Sequence, residues 1–364
     1  MYVMKNLIFL IVMLNAVLVE SGEWYDLHIQ KDSNSKIDIP HPSYRIDGNK
    51  DFFMIAHAGS PLKQPENTIE GLEVSIKDGA NALEVDLSMT YDYEIVLWHD
   101  WDPNSLVSIA RQKGLEGFKY LPFCPDATSK YRVPVDRLKY KDFIREYGYK
   151  LKDTDKKLEY KIPTIEIFLE WLHNKKSIKF IYLDVKFPSN YRKTNRIKYF
   201  VKKMNSLLER YDLIDKAVLF TPYDSIFDEM VKVKNFYGLK VRLGRDMEIP
   251  PDLVNIPVEL NPMKASGRAI VIIDQFVDKL DKLIKNSCEY IAVGRPTKLT
   301  LVGGWYTYKK IIDRLVKKKE KISSNIKIIC WTINDPKEIR ELYNKGINGI
   351  MSDDVSVIAR SLSF

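Results

Sequence analysis

The chain has 364 residues, of which 45% are hydrophobic and 29% are charged, and its formal net charge is +8 at pH 7. This length is enough for one large domain with a single hydrophobic core. The cysteines Cys124, Cys288 and Cys330 are too few and too widely spaced for a disulfide framework or a cysteine metal site. One disulfide with a leftover thiol stays open, although Cys330 lies in an apolar run and is expected to be buried.

The positive charge fits two interpretations. It is either an ordinary solvated basic surface or an attraction to anionic phosphate esters and membrane headgroups. The basic residues are not interleaved with aromatic residues in any repeating way, and no nucleic-acid-binding module is recognisable. We therefore expect no nucleic-acid partner.

The first 21 residues have the features of a secretory signal peptide. Lys5 precedes an apolar run over residues 7–19, and Val19-Glu20-Ser21 provides a cleavage context. A membrane signal anchor is the alternative, but the run is short for a full span. We expect a secreted protein, periplasmic or extracellular, in which residues 22–50 form an N-terminal extension.

From residue 51 to residue 364, short apolar runs alternate with amphipathic stretches of helical periodicity. In chain order the expected strands are FFMIAHA, ALEVDLSM, EIVLWHD, IKFIYLDVKFP, KAVLFTP, LKVRLGRD, EYIAVGRP, IKIICWTIND and INGIMSDD. The expected helices lie between them, at residues 68–77, after Pro163, and at 191–211, 226–237, 308–319 and 336–345. About eight strand–helix alternations favour an α/β fold of the (β/α)8 TIM-barrel type over an open doubly wound sheet.

Residues 101–160 interrupt this alternation directly after the third expected strand. The segment is polar, contains aromatic residues such as Trp101, Tyr120 and Tyr131, and is too long for an ordinary connection from strand to helix. We interpret it as an insertion that caps the barrel mouth and shapes the substrate site. A peripheral insertion without a catalytic role is the alternative.

Two histidines and two carboxylates lie at or near the ends of the first three expected strands, which read as buried parallel strands. Glu84 and Asp86 are two residues apart and therefore point to the same side of their strand. Two buried carboxylates on one face repel each other unless a positive charge lies between them, and a divalent cation supplies that charge. His57 and His99 then serve as general base and general acid. Later strands end in further site candidates: Asp184, Lys186 and Trp331.

These residues resemble the glycerophosphodiester phosphodiesterase family, which is built on a (β/α)8 barrel. The matching motifs occur in family order: His57-Ala58-Gly59, Pro65-Glu66-Asn67-Thr68, Glu84-Val85-Asp86, His99-Asp100, Ile162-Pro163-Thr164, Leu183-Asp184-Val185-Lys186, Trp331-Thr332-Ile333-Asn334-Asp335 and Gly349-Ile350-Met351-Ser352-Asp353. No single motif is specific, but their combination over residues 52–358 is.

The resemblance implies a role for each matching residue. One divalent cation, Ca²⁺ or Mg²⁺, would be held by Glu84, Asp86 and Asp184. The acid and base would be His57 and His99, in an order that the spacing does not decide. Phosphate and substrate would be contacted by Lys186 and Trp331, and the site would be supported by Glu66 and Asn67. Asp100 is expected to support the site, whereas Asp353, His28, His41 and His173 are left outside it.

Two departures from the family pattern affect the functional prediction. Ala58 stands where the family has an arginine that is expected to contact phosphate, and Asp184 stands where the family usually has glutamate. Both departures resemble the phospholipase D and sphingomyelinase D group, which releases a cyclic phosphate. The retained Pro-Glu-Asn-Thr, Ile-Pro-Thr and His-Asp motifs resemble the glycerophosphodiesterases instead. The missing arginine could be replaced by Arg242, Arg245 or Arg295.

The sequence therefore predicts a secreted metal-dependent phosphodiesterase that splits glycerophosphodiesters into glycerol 3-phosphate and an alcohol. The expected partner is a small phosphodiester, either a deacylated phospholipid or a lysophospholipid, with transient membrane contact. The alternatives are a phospholipase D-like enzyme on lysophospholipid that gives a cyclic phosphate, and a catalytically impaired relative that binds phosphodiesters.

Overall fold

The computed structural model describes residues 52–247, 288–295, 304–321 and 325–362. The expected signal peptide at 1–21 and the extension at 22–50 lie outside the described residues, as do His28 and His41. No helix within the described ranges is both long enough and apolar enough to cross a bilayer.

Eleven strands form in the described ranges. They are β1 (Phe53–Ala56), β2 (Ala82–Met89), β3 (Ile95–Leu97), β4 (Tyr120–Phe123), β5 (Gly148–Leu151), β6 (Phe180–Val185), β7 (Ala217–Thr221), β8 (Arg242–Met247), β9 (Tyr290–Gly294), β10 (Lys327–Trp331) and β11 (Gly349–Ser352).

Nine α-helices alternate with these strands over the same ranges. They are α1 (Ile69–Lys77), α2 (Leu106–Gln112), α3 (Tyr140–Glu146), α4 (Ile165–Leu172), α5 (Thr194–Arg210), α6 (Asp224–Tyr237), α7 (Gly304–Lys321), α8 (Pro336–Asn344) and α9 (Val355–Leu362). Several begin at a side-chain cap: the Thr68 hydroxyl accepts from Gly71 N–H at α1, and an Asp335 carboxylate oxygen accepts from two backbone N–H groups at α8.

The parallel strands close into a barrel. Their order is β1-β2-β6-β7-β8-β9-β10-β11, and β11 pairs with β1 in register from Phe53–Gly349 to Ala56–Ser352. This closed barrel of eight parallel strands with surrounding helices confirms the predicted (β/α)8 fold.

The third strand differs from the expected pattern. We expected β3 to be a parallel barrel strand, but it pairs antiparallel with β2, with Met89 opposite Ile95 and Leu87 opposite Leu97. The reason is the short turn between them, because residues 90–94 are too few for the crossover that a parallel neighbour needs. The turn is closed by Thr90, whose backbone N–H donates to Glu94 O. His99 therefore reaches the barrel mouth on a hairpin.

The side chains inside the barrel are large and aromatic below the site. Phe180 stacks between Phe53 and Tyr290, with ring centroids 4.7 and 4.9 Å apart, and Tyr182 stacks on Phe220 at 3.6 Å. At Gly244 a Cβ atom would collide with the Phe220 ring. The barrel interior is therefore a packed core that leaves room for a site only above it.

The insertion forms a small unit with its own apolar cluster over β3. Strands β4 and β5 pair as an antiparallel hairpin, and Trp98 packs against Phe143, Tyr147 and Tyr149. This cluster explains why β3 is fully buried, which is what made its sequence resemble a central barrel strand. All three cysteines are unpaired, so the disulfide left open by the sequence does not form, and Cys330 is buried as expected.

Phe180→Ala is expected to destabilise the fold by about 3–5 kcal/mol, because it removes a buried ring that stacks on two neighbours. Urea unfolding followed by circular dichroism measures this loss. Phe236→Ala is the matched control, since that ring is 81% exposed, and it is expected to change stability by less than about 0.5 kcal/mol. Equal losses for both variants would contradict the assignment of Phe180 to the barrel core.

Candidate active site

The carboxylates come together because β2 and β6 are neighbouring parallel strands. Asp86 lies opposite Asp184 in the register, and Glu84 points to the same side as Asp86. These side chains continue the inward-facing positions of Ala82 and Tyr182, so they lie above the aromatic core at the carboxyl ends of the strands. One ligand atom from each of Glu84, Asp86 and Asp184 lies within 4.8 Å of the others, and all three residues are buried.

Neighbouring groups hold two of these carboxylates in place. Glu84 Oε2 accepts a 2.6 Å hydrogen bond from the backbone N–H of Ala58. Asp86 Oδ2 accepts a 2.6 Å bond from the Asn67 side-chain amide, while Asn67 Oδ1 accepts from the backbone N–H of Asp86 at 2.9 Å. Asn67 is fully buried with a left-handed φ of 55°, and its supporting role stays a prediction, which these contacts favour.

Lys186 provides positive charge within the carboxylate group. Its Nζ lies 2.5 Å from Asp184 Oδ2 and 2.9 Å from Asp86 Oδ1. Burial alone would raise the pKa of Asp86, but attraction to Lys186 and His99 and a hydrogen bond from Asn67 lower it below its ordinary value. Burial would lower the pKa of Lys186, but attraction to Asp184 and Asp86 raises it well above its ordinary value. The ammonium therefore stays charged.

One ammonium does not neutralise three buried carboxylates. Burial, followed by repulsion from Asp86, raises the pKa of Glu84 well above its ordinary value. In addition, Asp184 Oδ1 is buried and accepts no hydrogen bond from the described part of the chain. An uncompensated oxygen beside clustered carboxylates fits a hard divalent cation, for which oxygen ligands are preferred. The residues present therefore fit the metal that the sequence predicts.

Each histidine contacts an aspartate through the same ring nitrogen. His57 Nδ1 lies 2.7 Å from Asp353 Oδ1, and His99 Nδ1 lies 2.8 Å from Asp100 Oδ1. A carboxylate accepts only, so Nδ1 carries the proton in both rings and Nε2 is the nitrogen left for chemistry. Both histidines follow strands that pair with the edge of β2 opposite β6: β1 pairs with the first residues of β2 and β3 with its last ones.

The pKa of His57 is raised to about 10. Burial acts in the opposite direction, but it is outweighed by the hydrogen bond and attraction to Asp353 and by the nearby carboxylates of Glu84 and Asp86. The same contact, against the effect of burial, lowers the pKa of Asp353.

The other predicted residues surround this centre. Trp331 borders the mouth at the end of β10, where its Nε1 donates to Asp246 Oδ1 at 2.9 Å. Asp246 also accepts from the Tyr182 hydroxyl at 3.1 Å. Glu66 does not reach the carboxylate group; it pairs with Arg111 from the insertion. His173 is exposed at the end of α4, outside the site as expected.

The candidate replacements for the family arginine are each engaged elsewhere. Arg242 pairs with Glu289. Arg245 donates to the carbonyl oxygen of Thr221 and pairs with Asp224, with 2.6 Å between Arg245 and the Asp224 carboxylate. Arg295 pairs with Glu338 at 2.5 Å. Ala58 itself contributes through its backbone, in a left-handed conformation with φ of 46°. Lys186 is therefore the cation that the described residues place among the predicted metal ligands.

Sequence reasoning missed the partners of His57 and of Trp331, which are Asp353 and Asp246. Asp353 follows β11, and closure of the barrel beside β1 brings it to His57, so its position after the last strand was an available signal. Asp246 faces inward on β8, which a strict alternation along that strand could have indicated. Arg111 had no such signal, because its contact with Glu66 spans 45 residues and depends on how the insertion folds.

Comparison with known proteins agrees with this geometry. Residues 57–237 match the model of the glycerophosphoryl diester phosphodiesterase family. Over 138 residues the chain is 28% identical to glycerophosphodiester phosphodiesterase domain-containing protein 4 of Macaca fascicularis. That segment covers 37% of this chain and only 22% of the macaque protein, so the chain spans about a fifth of that relative's length. The predicted family resemblance is confirmed.

Solved structures show the same fold. A candidate glycerophosphoryl diester phosphodiesterase of Silicibacter pomeroyi superposes with a TM-score of 0.60 at 17% identity, covering 87% of this chain and 95% of that one. A phosphodiesterase of Oleispira antarctica, solved with the product sn-glycerol-3-phosphate, has a TM-score of 0.51 at 16% identity, covering 85% and 95%. At these identities the likeness supports the barrel alone.

The carboxylate group is expected to bind one Ca²⁺ or Mg²⁺, and Asp184→Asn is expected to weaken that binding at least about tenfold, because it removes a charged ligand. Isothermal titration calorimetry on the chelator-treated protein measures the affinity. Asp155→Asn, at a fully exposed carboxylate, serves as the control and should bind the cation as the wild type does. Unchanged affinity in Asp184→Asn would exclude the site.

Proposed function

This chain belongs to the glycerophosphodiester phosphodiesterase family, and from that premise we propose that it is a metal-dependent phosphodiesterase acting on glycerophosphodiesters. The products would be glycerol 3-phosphate and an alcohol. The observation that carries the proposal is the pair of aspartate-bound histidines that follow β1 and β3, next to buried carboxylates of β2 and β6 that fit a divalent cation. Together these groups provide an acid, a base and a phosphate-orienting charge.

Glu84, Asp86 and Asp184 would hold the cation, Ca²⁺ or Mg²⁺. When bound, it supplies Lewis-acid polarisation of a phosphoryl oxygen. Lys186 adds an ammonium beside the same carboxylates, where it attracts the phosphate and stabilises the negative charge that builds up in the transition state. Trp331 borders the space for the glycerol or alcohol group.

The histidines would exchange protons through Nε2. Attraction to Asp353 favours the protonated form of His57, which suits the group that donates a proton to the leaving alcohol oxygen as the phosphorus–oxygen bond breaks. His99 would then accept the proton of the attacking group, which is water or the glycerol hydroxyl next to the phosphate. Attack by water gives glycerol 3-phosphate directly, whereas attack by the hydroxyl gives a cyclic phosphate first.

Secretion is part of the proposal, and it rests on the apolar run over residues 7–19 and the cleavage context at residue 21. The polar phosphodiesters that the site fits are then met outside the cytoplasm. Sequencing the N-terminus of the protein recovered from culture medium or periplasm tests this, and a start close to residue 22 is expected.

A lipid-directed reaction is the second candidate function. It is favoured by Leu106 and Val107 at the start of α2, which follow His99 and Asp100 within eight residues and are 73% and 60% exposed. An exposed apolar pair close to an active-site residue in the sequence suits a substrate that is presented by a membrane. This candidate predicts activity on lysophospholipid and a cyclic phosphate product.

Turnover of glycerophosphocholine is expected to give a glycerol 3-phosphate signal in ³¹P NMR, to stop with chelator, and to fall at least about 100-fold in His57→Ala and in His99→Ala. His173→Ala is the matched control, because this histidine is exposed outside the site, and it should retain wild-type turnover.

Lysophosphatidylcholine assayed in parallel separates the candidate functions. A cyclic phosphate from the lysolipid alone would assign the lipid-directed reaction. If neither substrate reacts although calorimetry shows bound cation, the chain is a binding relative that has lost turnover.

A further inference from the structure

The insertion places a buried arginine behind the His99–Asp100 pair. Arg111, on α2, has a side chain that is only 6% exposed. Its guanidinium contacts three carboxylates: Nε donates to Asp100 Oδ1 at 2.9 Å, one terminal nitrogen pairs with Glu66, and the other donates to Glu116 at 2.8 Å. Arg111 therefore joins the insertion, the Pro-Glu-Asn-Thr turn and the His-Asp motif through one side chain.

One oxygen of Asp100 receives both neighbours. Oδ1 accepts from Arg111 Nε and from His99 Nδ1, whereas Oδ2 is buried without a hydrogen-bond donor among the described residues. The Asp100 carboxylate must keep one orientation to accept from both Arg111 Nε and His99 Nδ1. The position of Oδ1 sets the plane of the His99 ring, so Arg111 determines, through Asp100, where His99 Nε2 points.

The fork geometry of arginine is needed for this contact. Nε and the two terminal nitrogens serve Asp100, Glu66 and Glu116 simultaneously, which a lysine ammonium at the end of a flexible chain does not reproduce. Without the guanidinium, Asp100 and Glu66 would be buried carboxylates lacking their main positive partner.

The partner of the other histidine is held by a neutral group. Asp353 Oδ2 accepts from the Asn334 side-chain amide at 2.7 Å, and Asn334 Oδ1 accepts from the backbone N–H of Asp353 at 3.0 Å. Within the described ranges no arginine or lysine pairs with Asp353. The guanidinium therefore acts on one histidine of the pair, and loss of Arg111 should leave His57 in place.

We propose that Arg111 is a positioning residue for catalysis: it fixes His99 through Asp100, so that the insertion is part of the active site. The proposal rests on the proposed phosphodiesterase function for its kinetic consequence, but the orientation of His99 is independent of turnover. It also assigns Glu66 a role as the anchor of Arg111.

Arg111→Lys tests the proposal, with kinetics on glycerophosphocholine at saturating cation. The expected result is a fall in kcat of about 10- to 100-fold with KM changed by less than about threefold, because the acid–base group is misoriented while the phosphate contacts remain. Arg132→Lys is the matched control in the same insertion. Arg132 bonds Asn104, Gln112 and two backbone carbonyls, none of them a carboxylate, so its replacement should leave kcat within about twofold.

Asp100→Asn changes the same contact from the carboxylate side and can be measured even if Arg111→Lys does not fold. It should lower kcat to a similar extent with KM retained, and combining it with Arg111→Lys should cost no more than the larger single loss, because both act through one contact. Full kcat in Asp100→Asn, or additive losses in the double variant, would overturn the proposal.

Nitrogen-15 NMR of the histidine side chains separates this proposal from the proposed function. In the wild type His99 should be held with its proton on Nδ1, and in Arg111→Lys the ring should populate both tautomers while His57 is unchanged. If the wild type turns over no substrate but this change occurs, the proposed function fails and the positioning role stands. If His99 is unaffected by Arg111→Lys, or if His57 changes equally, the positioning role is wrong.

Discussion

The structure of the site depends on how the repulsion among three buried carboxylates, at the ends of two neighbouring strands, is compensated. Glu84, Asp86 and Asp184 lie within ligand distance of one another, and Lys186 compensates only part of their charge. Buried like charges are tolerated only where donors or cations surround them. The amide of Asn67 and the backbone N–H of Ala58 meet this requirement, whereas Asp184 Oδ1 has no hydrogen-bond donor among the described residues. The divalent cation that we propose would complete the charge balance.

The aromatic core below the site explains why these charges are buried where they are. Along β6, Phe180, Tyr182 and Asp184 share the inward face, so two packed rings are followed by a carboxylate toward the carboxyl end of the strand. The rings fill the lower barrel, and the close approach of Phe220 to Gly244 leaves no space for a polar cavity there. The alternation of side chains along the strands therefore places the rings in the lower barrel and the carboxylates at its mouth.

The barrel and the central residues could be predicted from the sequence because they depend on local patterns. The two-residue spacing of Glu84 and Asp86 predicts that both side chains lie on one face of a strand, and the apolar residues around them predict that strand. The antiparallel orientation of β3 could not be predicted from local patterns. The insertion buries β3, so this short antiparallel strand has the apolar composition that is typical of a central barrel strand. The contact between Asp353 and His57 forms only when the barrel closes, and the contact between Arg111 and Asp100 forms only when the insertion folds. Local sequence patterns therefore do not predict either contact.

Ala58 affects the charge of the site mainly because its side chain carries none, whereas its backbone keeps its contact. Its N–H still binds Glu84, so the turn after β1 keeps its structural function. The side chain of Ala58 carries no positive charge, and the arginines that are candidates to replace the family arginine are paired with carboxylates elsewhere. Lys186 compensates Asp86 and Asp184, and in the proposed reaction it would also attract the phosphate. The proposed divalent cation would take over part of that compensation, so phosphate recognition in this chain would depend more on the metal than it would with an arginine at position 58.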